Sequence, residues 1–325
     1  MFSPRVVGEQ WICQMDTSRR QILAAAGASA LALLPTQAMS QACRKRSFRV
    51  AYFTDTHIPA GGSAASWLAT ALQHAQTRRN KPDFVFFGGD MIMDALGQPQ
   101  DSVKAQWAQF QSVVKTNTQV PVQYCLGNHD IWGWEKQSGA TNTHALYGKN
   151  WAMDLLEWQR PYRSFDVRDW HFVVLDSMSR ARNGYIGRLD DPQFEWLEDD
   201  LKANRKKKTV IVSHIPIISV CPMFFDQYER DGKNWQVPGW LTHIDARRFK
   251  NLFAGNPQVK TCLSGHIHML DKVSFNGVTY LCNGSVAGSW WKGPFQETEP
   301  GYAMIDFYND GTVHREYVDY GWKNS

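Results

Sequence analysis

Cysteine is scarce: 325 residues hold six, at positions 13, 43, 125, 221, 262 and 282. Six cysteines so widely scattered in a long chain exclude a small disulfide scaffold. Long apolar runs are also missing. None reaches the roughly 18–20 residues that a membrane-spanning helix needs, so no integral membrane segment is expected in the mature chain. Charge of one sign is absent as well, since 35 basic residues face 31 acidic ones. A formal +4 on this length leaves no electrostatic footprint for nucleic acid, and no nucleic-acid partner is expected. After residue 42 there is no Pro/Gly/Ser-rich linker, repeat or low-complexity tract, which favours one domain. The chain is 43% hydrophobic and 13% aromatic, enough for a large buried core and too much for a disordered protein. Fourteen tryptophans and ten histidines are the unusual abundances.

The first 42 residues read as an address. Arg19 and Arg20 stand directly before a mildly apolar stretch, Ile22 to Leu34, too short to span a bilayer. The small-residue run from Gln37 to Ala42 offers cleavage after Ser40 or Ala42. This segment resembles a twin-arginine (Tat) signal, which implies the Tat machinery as a partner and a periplasmic or extracytoplasmic location. Met15 gives a compact start for such a signal. The domain is then expected over 43–325, with 32 basic and 29 acidic residues left. Ser40-Gln41-Ala42, ahead of Cys43, lack the leucine of a lipid-attachment box. Cys125 and Cys262 lie in apolar strands, as buried free thiols.

Short apolar strands alternate with helical stretches. Strands are predicted over Phe48–Thr54, Asp83–Gly88, Val120–Leu126, His171–Asp176 and Thr209–Ser213. Helices are predicted over Ala64–Arg79, Ser102–Thr116 and Asp191–Asn204, the last capped by Asp191 with Pro192 at its first position. The basic run Arg205–Lys208 suits that helix's C-terminus. The last third changes character. Asn276-Gly277 and Asn309-Asp310-Gly311 each join two short strands as hairpins, Lys272–Phe275 with Val278–Cys282 and Gly301–Tyr308 with Thr312–Val318. The fold class is therefore α/β, with mixed β-sheets and helices outside.

The polar residues at the strand ends carry the chemistry. Phe48–Thr54 runs into Asp55-Thr56-His57, and Asp83–Phe87 into Gly88-Gly89-Asp90. Val120–Leu126 runs into Gly127-Asn128-His129-Asp130, Thr209–Ser213 into His214, and Val259–Ser264 into Gly265-His266-Ile267-His268. Loops at strand carboxyl ends are where α/β sheets gather their sites. Carboxylate, amide and imidazole donors without cysteine suit Mn, Fe, Zn or Co better than a structural zinc site. Asp55 with His57, and His266 with His268, share a face if the backbone stays extended. The glycines allow tight turns after each strand.

This ordered set resembles the calcineurin-like metallophosphoesterase superfamily over roughly residues 48–320. The resemblance implies a four-layer α-β-β-α sandwich of two mixed sheets and two divalent metal ions bridged by Asp90. Asp55, His57 and His268 would complete the first metal site; Asn128, His214 and His266 would complete the second. His129 would serve as general acid and phosphate contact, with Asp130 holding its imidazole. Two such metals clamp phosphoryl oxygens and activate a water for in-line attack, so the implied activity is hydrolysis of a small phosphate ester. A diester is slightly favoured. A phosphomonoesterase of the same fold and a non-catalytic metal-binding envelope protein are the alternatives.

Departures narrow the resemblance. Met91-Ile92-Met93-Asp94 follows Asp90, without the arginine of the superfamily's protein serine/threonine phosphatases or the tyrosine of its purple acid phosphatases. What is left resembles the bacterial branch that includes cyclic-nucleotide phosphodiesterases. Trp132, Trp134, Trp290 and Trp291 either wall the substrate pocket or pack loops onto the domain. Asp176 is either a partner to a ligand histidine or a structural cap. Among Arg160, Arg163, Arg180, Arg182 and Arg188, one could reach a substrate phosphate. His74, His144, His171, His243 and His314 have no motif context.

Overall fold

Alternation in the first strand sets the layering. In β1 (Arg46–Phe53), Val50 and Tyr52 point to one face and Ala51 and Phe53 to the other, and all four are buried. A strand buried on both sides belongs to a sheet covered on both faces. The computed structural model describes residues 44–182 and 184–323 and bears this out. The expected export signal over 1–42, the Met15 start and Cys43 lie outside the described residues.

Two mixed sheets stack on each other. The first runs β15 (Val313–Asp319), β14 (Gly301–Tyr308), β1, β2 (Phe84–Phe87), β3 (Val122–Tyr124). The second runs β12 (Asp271–Phe275), β13 (Val278–Cys282), β11 (Val259–Ser264), β8 (Lys208–Val212), β5 (Trp170–Val174), β4 (Arg163–Val167). In the first sheet β1, β2 and β3 are parallel and the β14–β15 hairpin is antiparallel; in the second, β13, β11, β8 and β5 are parallel and the flanking β12 and β4 antiparallel. An aromatic cluster fills the space between them: Phe48 stacks on Phe307 at 4.8 Å between ring centroids, and Trp170 meets Phe307 edge-on at 5.0 Å. Each fully buried phenylalanine there contributes about 1.5–3 kcal/mol.

Helices α1 (Ala64–Thr77) and α2 (Gln100–Asn117) cover the outer face of the first sheet through Leu68, Leu72, Trp107 and Phe110. A short α3 (Asn150–Leu155) adds Trp151 to that layer. Helices α4 (Asp191–Ala203) and α5 (Ala246–Ala254) cover the second sheet through Phe194, Leu197, Phe249 and Phe253. The result is the four-layer sandwich that the motifs implied. Two ribbons lie outside it: β6 (Met178–Arg180) with β7 (Tyr185–Gly187), and β9 (Glu229–Arg230) with β10 (Asn234–Trp235).

Two details differ from the sequence reading. The cap of α4 is Asp190, whose Oδ1 accepts from the Gln193 N–H at 2.9 Å, while Asp191 is the first helical residue. Either aspartate precedes Pro192 closely enough to serve, and geometry selects the outer one. The strands β4, β6 and β7 and the helices α3 and α5 are additional to the elements expected from the sequence; in α5 the apolar Phe249, Leu252 and Phe253 do share one face, over a helix of only nine residues. Cys125, Cys221, Cys262 and Cys282 are buried free thiols.

His171 clamps β5 to its surroundings. Its Nδ1 meets Asp166 at 2.8 Å and its Nε2 meets Asp200 of α4 at 2.7 Å. Burial alone would lower its pKa, but the hydrogen bonds to Asp200 and Asp166 outweigh burial and raise it. A raised folded pKa means stabilisation that is complete below the unfolded value of about 6.5 and fades as pH climbs through the folded value. His171→Gln should therefore lower Tm more at pH 6 than at pH 9. Equal deficits at both pH values would show that charge plays no part in the clamp.

Candidate metal centre

Every ligand candidate arrives at the carboxyl end of a strand with a parallel neighbour, and both sheets contribute. β1 delivers Asp55 and His57, β2 delivers Asp90 and β3 delivers Asn128. From the second sheet, β8 delivers His214 and β11 delivers His266 and His268. The sheets are stitched together here: His214 Nδ1 bonds the Gly88 carbonyl at 2.8 Å, and the His266 N–H donates to both Asp55 oxygens at 3.1 and 3.0 Å.

The side chains converge in overlapping groups. Ligand atoms of Asp55, His57 and His268 lie within 4.8 Å of one another, as do those of Asp90, His214 and His266. Those of His57, Asp90 and His129 form a third such group, so Asp90 touches both halves. Asp90 Oδ1 accepts the His129 N–H at 2.8 Å while Oδ2 faces His214 Nε2 at 3.1 Å. His268 Nε2 lies 3.3 Å from Asp55 Oδ1 and 3.1 Å from His57 Nε2.

The backbone does not stay extended. Asp55, His57, Asp90, His266 and His268 all have positive φ, between 41° and 71°. The shared-face expectation for the Asp-x-His and His-x-His pairs is thus corrected: each ligand is turned inward by a left-handed kink. Such conformations cost of order 1–3 kcal/mol each in non-glycine residues and cluster at functional sites. The neighbouring glycines act mostly through close approach. A Cβ at Gly265 would lie 2.0 Å from Thr54 Oγ1 and 2.4 Å from Asp55 Oδ2. Gly89, at φ 104°, combines a true turn with a site where a Cβ would lie 2.4 Å from the His214 ring.

The donor set fits cations. Asn128 Oδ1 and His214 Nε2 are buried and make no hydrogen bond. His214 and His268 each bond a carbonyl through Nδ1, to Gly88 at 2.8 Å and Gly288 at 2.7 Å. That assigns the Nδ1 protons and leaves each Nε2 lone pair facing inward. His266 does the reverse, its Nε2 bonding the Trp240 carbonyl at 2.8 Å. Lone pairs facing carboxylates need a positive charge between them.

Without metal, protons and fields fill that role. Burial would lower His214, but Asp90 and then Asp55 raise it to about 9. Burial would raise Asp55, yet the His268 charge outweighs it and brings the carboxyl to about 2. Asp90 is held well below its usual range by His214 and His129 despite burial. His57 falls to about 3 through burial and the His129 charge, and His266 to about 3 through burial and the His214 charge.

His129 stands at the edge, and its partner is not the one expected. Its Nδ1 meets Asp94 Oδ1 at 3.1 Å. Asp130 instead accepts the Met91 and Gly127 N–H groups at 2.8 Å each and the Ile92 N–H at 3.3 Å. The expectation that Asp130 holds the imidazole is corrected: its carboxylate ties the two ligand loops together. Sequence reading missed Asp94, whose only signal was its place four residues after Asp90. Asp90 and Asp94 overcome burial and raise His129 to about 9.

A cleft of about 210 Å³ opens over these groups, lined among others by Asp90, Asn128, His129, Tyr185, Trp240 and Trp290. Trp290 lies 4.6 Å from His268 and Trp240 lies 6.4 Å from His266, ring to ring. The tryptophans thus divide. Trp290 faces the cleft, whereas Trp291 is tied by its Nε1–H to the His57 and Thr56 carbonyls. Trp132 is buried against Trp151, and Trp134 lines a different cavity. Trp240, Tyr185 and Phe295 line the cleft without any motif to mark them. Asp176 takes the structural side of its two readings, pairing with Lys149 and accepting from Met178 N–H at 3.4 Å. Arg163 is likewise structural, bonding the Tyr124 carbonyl at 2.7 Å.

Asp94 and His129 together can hand a proton to a leaving oxygen. Asp94→Asn should therefore cut turnover of an unactivated alkyl ester about 100-fold, the low end of what a positioned general acid contributes, with little change for a 4-nitrophenyl ester whose leaving group needs no proton. Equal losses on the two esters, at unchanged metal content, would show that Asp94 does not serve proton delivery.

The sequence matches the calcineurin-like phosphoesterase family over residues 48–270. It is 23% identical over 285 residues to a 3′,5′-cyclic-nucleotide phosphodiesterase of Nostoc sp., covering 82% of this chain and 91% of that protein. It is 22% identical over 248 residues to a serine/threonine-protein phosphatase of Pongo abelii, covering 76% and 71%. Among solved structures, a dimetal phosphatase from Danio rerio superposes with a TM-score of 0.55 at 13% identity, over 85% of this chain and all of that one. The order of the ligand loops, the four-layer fold and the match over most of the chain give one conclusion: this chain belongs to the calcineurin-like phosphoesterase family.

Proposed function

We propose that the protein is a metal-dependent phosphodiesterase acting on a small diester with a planar aromatic group, a cyclic nucleotide being the best match. The observation that carries this reading is the pair of half-exposed tryptophans, Trp240 and Trp290, over the two ends of the ligand row. A planar ring can stack on either while the phosphate lies over Asp90. A bound pair of divalent ions supplies Lewis acidity and an activated water. The chain does the rest. Asn128 is neutral, so the cleft keeps its attraction for an anion. His129, held by Asp94, donates to the phosphate oxygen and then to the leaving oxygen. The Nostoc relative's name supports the diester reading, and the Pongo relative's name keeps the monoester reading in view. The assignment of Asp55, His57, Asp90 and His268 to one ion, and of Asp90, Asn128, His214 and His266 to the other, follows the family resemblance; the groups Asp55–His57–His268 and Asp90–His214–His266 support it, and the buried, unpaired Oδ1 supports Asn128. Mn, Fe, Zn and Co all suit these donors. Export by the twin-arginine route to the periplasm is part of the proposal and rests on Arg19, Arg20 and the apolar stretch after them.

The test is a manganese-loaded sample assayed with bis(4-nitrophenyl) phosphate and 4-nitrophenyl phosphate. Faster turnover of the bis-ester is expected, abolished in Asp90→Asn. Activity confined to the mono-ester would overturn the diester reading, and silence with both would favour a binding role. Trp240→Ala and Trp290→Ala should each raise KM for a 3′,5′-cyclic nucleotide by about 5- to 150-fold, the equivalent of about 1–3 kcal/mol of stacking. Unchanged KM in both variants would remove the aromatic argument.

A further inference from the structure

The metal cleft is small. About 210 Å³ falls short of the roughly 300–1,000 Å³ of ordinary small-molecule sites. A second, larger cavity of about 680 Å³ lies on the far side of Tyr185 and has no part in the chemistry described so far. Its lining includes Trp134, Lys136, Tyr147, Arg180, Arg182 and Gly184, with Glu135 as its one acidic member.

The β6–β7 ribbon contributes to the lining of both cavities. Arg180 and Tyr185 are direct partners across its ladder, so their side chains share one face. Tyr185 lines the metal cleft, with its ring 6.1 Å from His266. Arg180 lines the second cavity, with its guanidinium 5.4 Å from the centre of the Tyr147 ring. From the metal ligands outward, the same face thus offers first an aromatic phenol and then a guanidinium. Among the described residues, Lys136, Arg180 and Arg182 form no ion pair with any carboxylate. Three cations against Glu135, in a concave space walled by Trp134 and Tyr147, make a receptor for an anionic group.

Resting on the phosphodiesterase reading above, we propose that this cavity is a subsite for a second anionic group of the substrate, a phosphate attached to the nucleoside beyond the scissile diester. The substrate class then extends from a bare cyclic nucleotide to a diester carrying an additional phosphate. Arg180 and Arg182 grip that phosphate as bidentate donors, Lys136 adds a point charge, and Tyr185 marks the passage between the two sites. Binding energy gained so far from the reacting phosphorus is common to ground and transition states, so it appears in KM rather than in kcat.

Two chromogenic diesters with one leaving group test this: thymidine 5′-(4-nitrophenyl phosphate) with and without a 3′-phosphate. The wild-type enzyme is expected to show a KM about tenfold or more lower for the phosphorylated ester, the equivalent of one charge-assisted hydrogen bond. In Arg180→Ala/Arg182→Ala that advantage should vanish, with kcat and the KM of the unphosphorylated ester unchanged. Arg180→Lys/Arg182→Lys, which keeps charge but loses the fork, should restore part of it. Equal KM values for the two esters in the wild-type enzyme, or an advantage that survives the double alanine variant, would overturn the subsite. Failure to hydrolyse either ester would instead strike the phosphodiesterase reading, so the two failures are distinct.

Discussion

Two fully buried carboxylates, Asp55 and Asp90, sit among the imidazoles of His57, His214 and His268 with almost no water to share the charge. That concentration of ionisable groups is the constraint on which the rest of the molecule depends. Left alone, such a cluster would be costly, because a buried charge needs a partner and a lone pair facing a carboxylate needs a cation. The fold meets this with two sheets whose parallel ligand-bearing strands, β1, β2 and β3 in one and β8 and β11 in the other, bring their carboxyl ends to the same site. The aromatic layer between the sheets, built on Phe48, Phe172 and Phe307, keeps those ends in fixed relation. Metal affinity is thus a consequence of packing far from the metal.

The left-handed kinks at Asp55, His57, Asp90, His266 and His268 follow from the same constraint. A strand end points its side chains to either face of the sheet, and neither direction is the sheet's edge. Turning through positive φ swings each ligand over that edge, at a conformational cost the surroundings must hold. They hold it with backbone bonds such as Asp55 N–H to the Gly89 carbonyl at 2.9 Å and His57 N–H to the Asp90 carbonyl at 3.0 Å. Asp130 does related work, its carboxylate fastening the Asp90 loop to the Asn128 loop. Holding the His129 imidazole falls to Asp94 because Asp130 is already occupied by three backbone donors.

Much of this was legible in the sequence. The apolar strands and the two turn-marked hairpins pointed to the mixed sheets, and the ordered polar residues after those strands carried the family resemblance that implied the metal set. Asn276 and Gly277, both at positive φ, form the tight hairpin turn their dipeptide suggests. What could not be read was anything decided by a loop path. Asp130, next to His129 in the sequence, was the expected partner, and Asp94 takes the place because of how the segment after Asp90 turns. Trp240 and Tyr185 reach the cleft from a long loop and a short ribbon that have no periodic pattern. Trp132, Trp290 and Trp291 look alike in sequence, yet one is buried in a helix-covered layer, one faces the cleft and one braces a ligand loop. Composition tells how many aromatics there are, and only the path of the chain tells which of them meet a substrate.

The central claim is that these seven side chains form one bridged, two-ion centre with Asp90 shared between its halves. Diffraction from crystals grown with manganese, recorded at the metal's absorption edge, addresses it most directly. Two anomalous peaks about 3.5–4 Å apart, one against Asp55, His57 and His268 and the other against Asn128, His214 and His266, with Asp90 between them, are the predicted result. A single peak, or two peaks that do not share Asp90, would contradict the account.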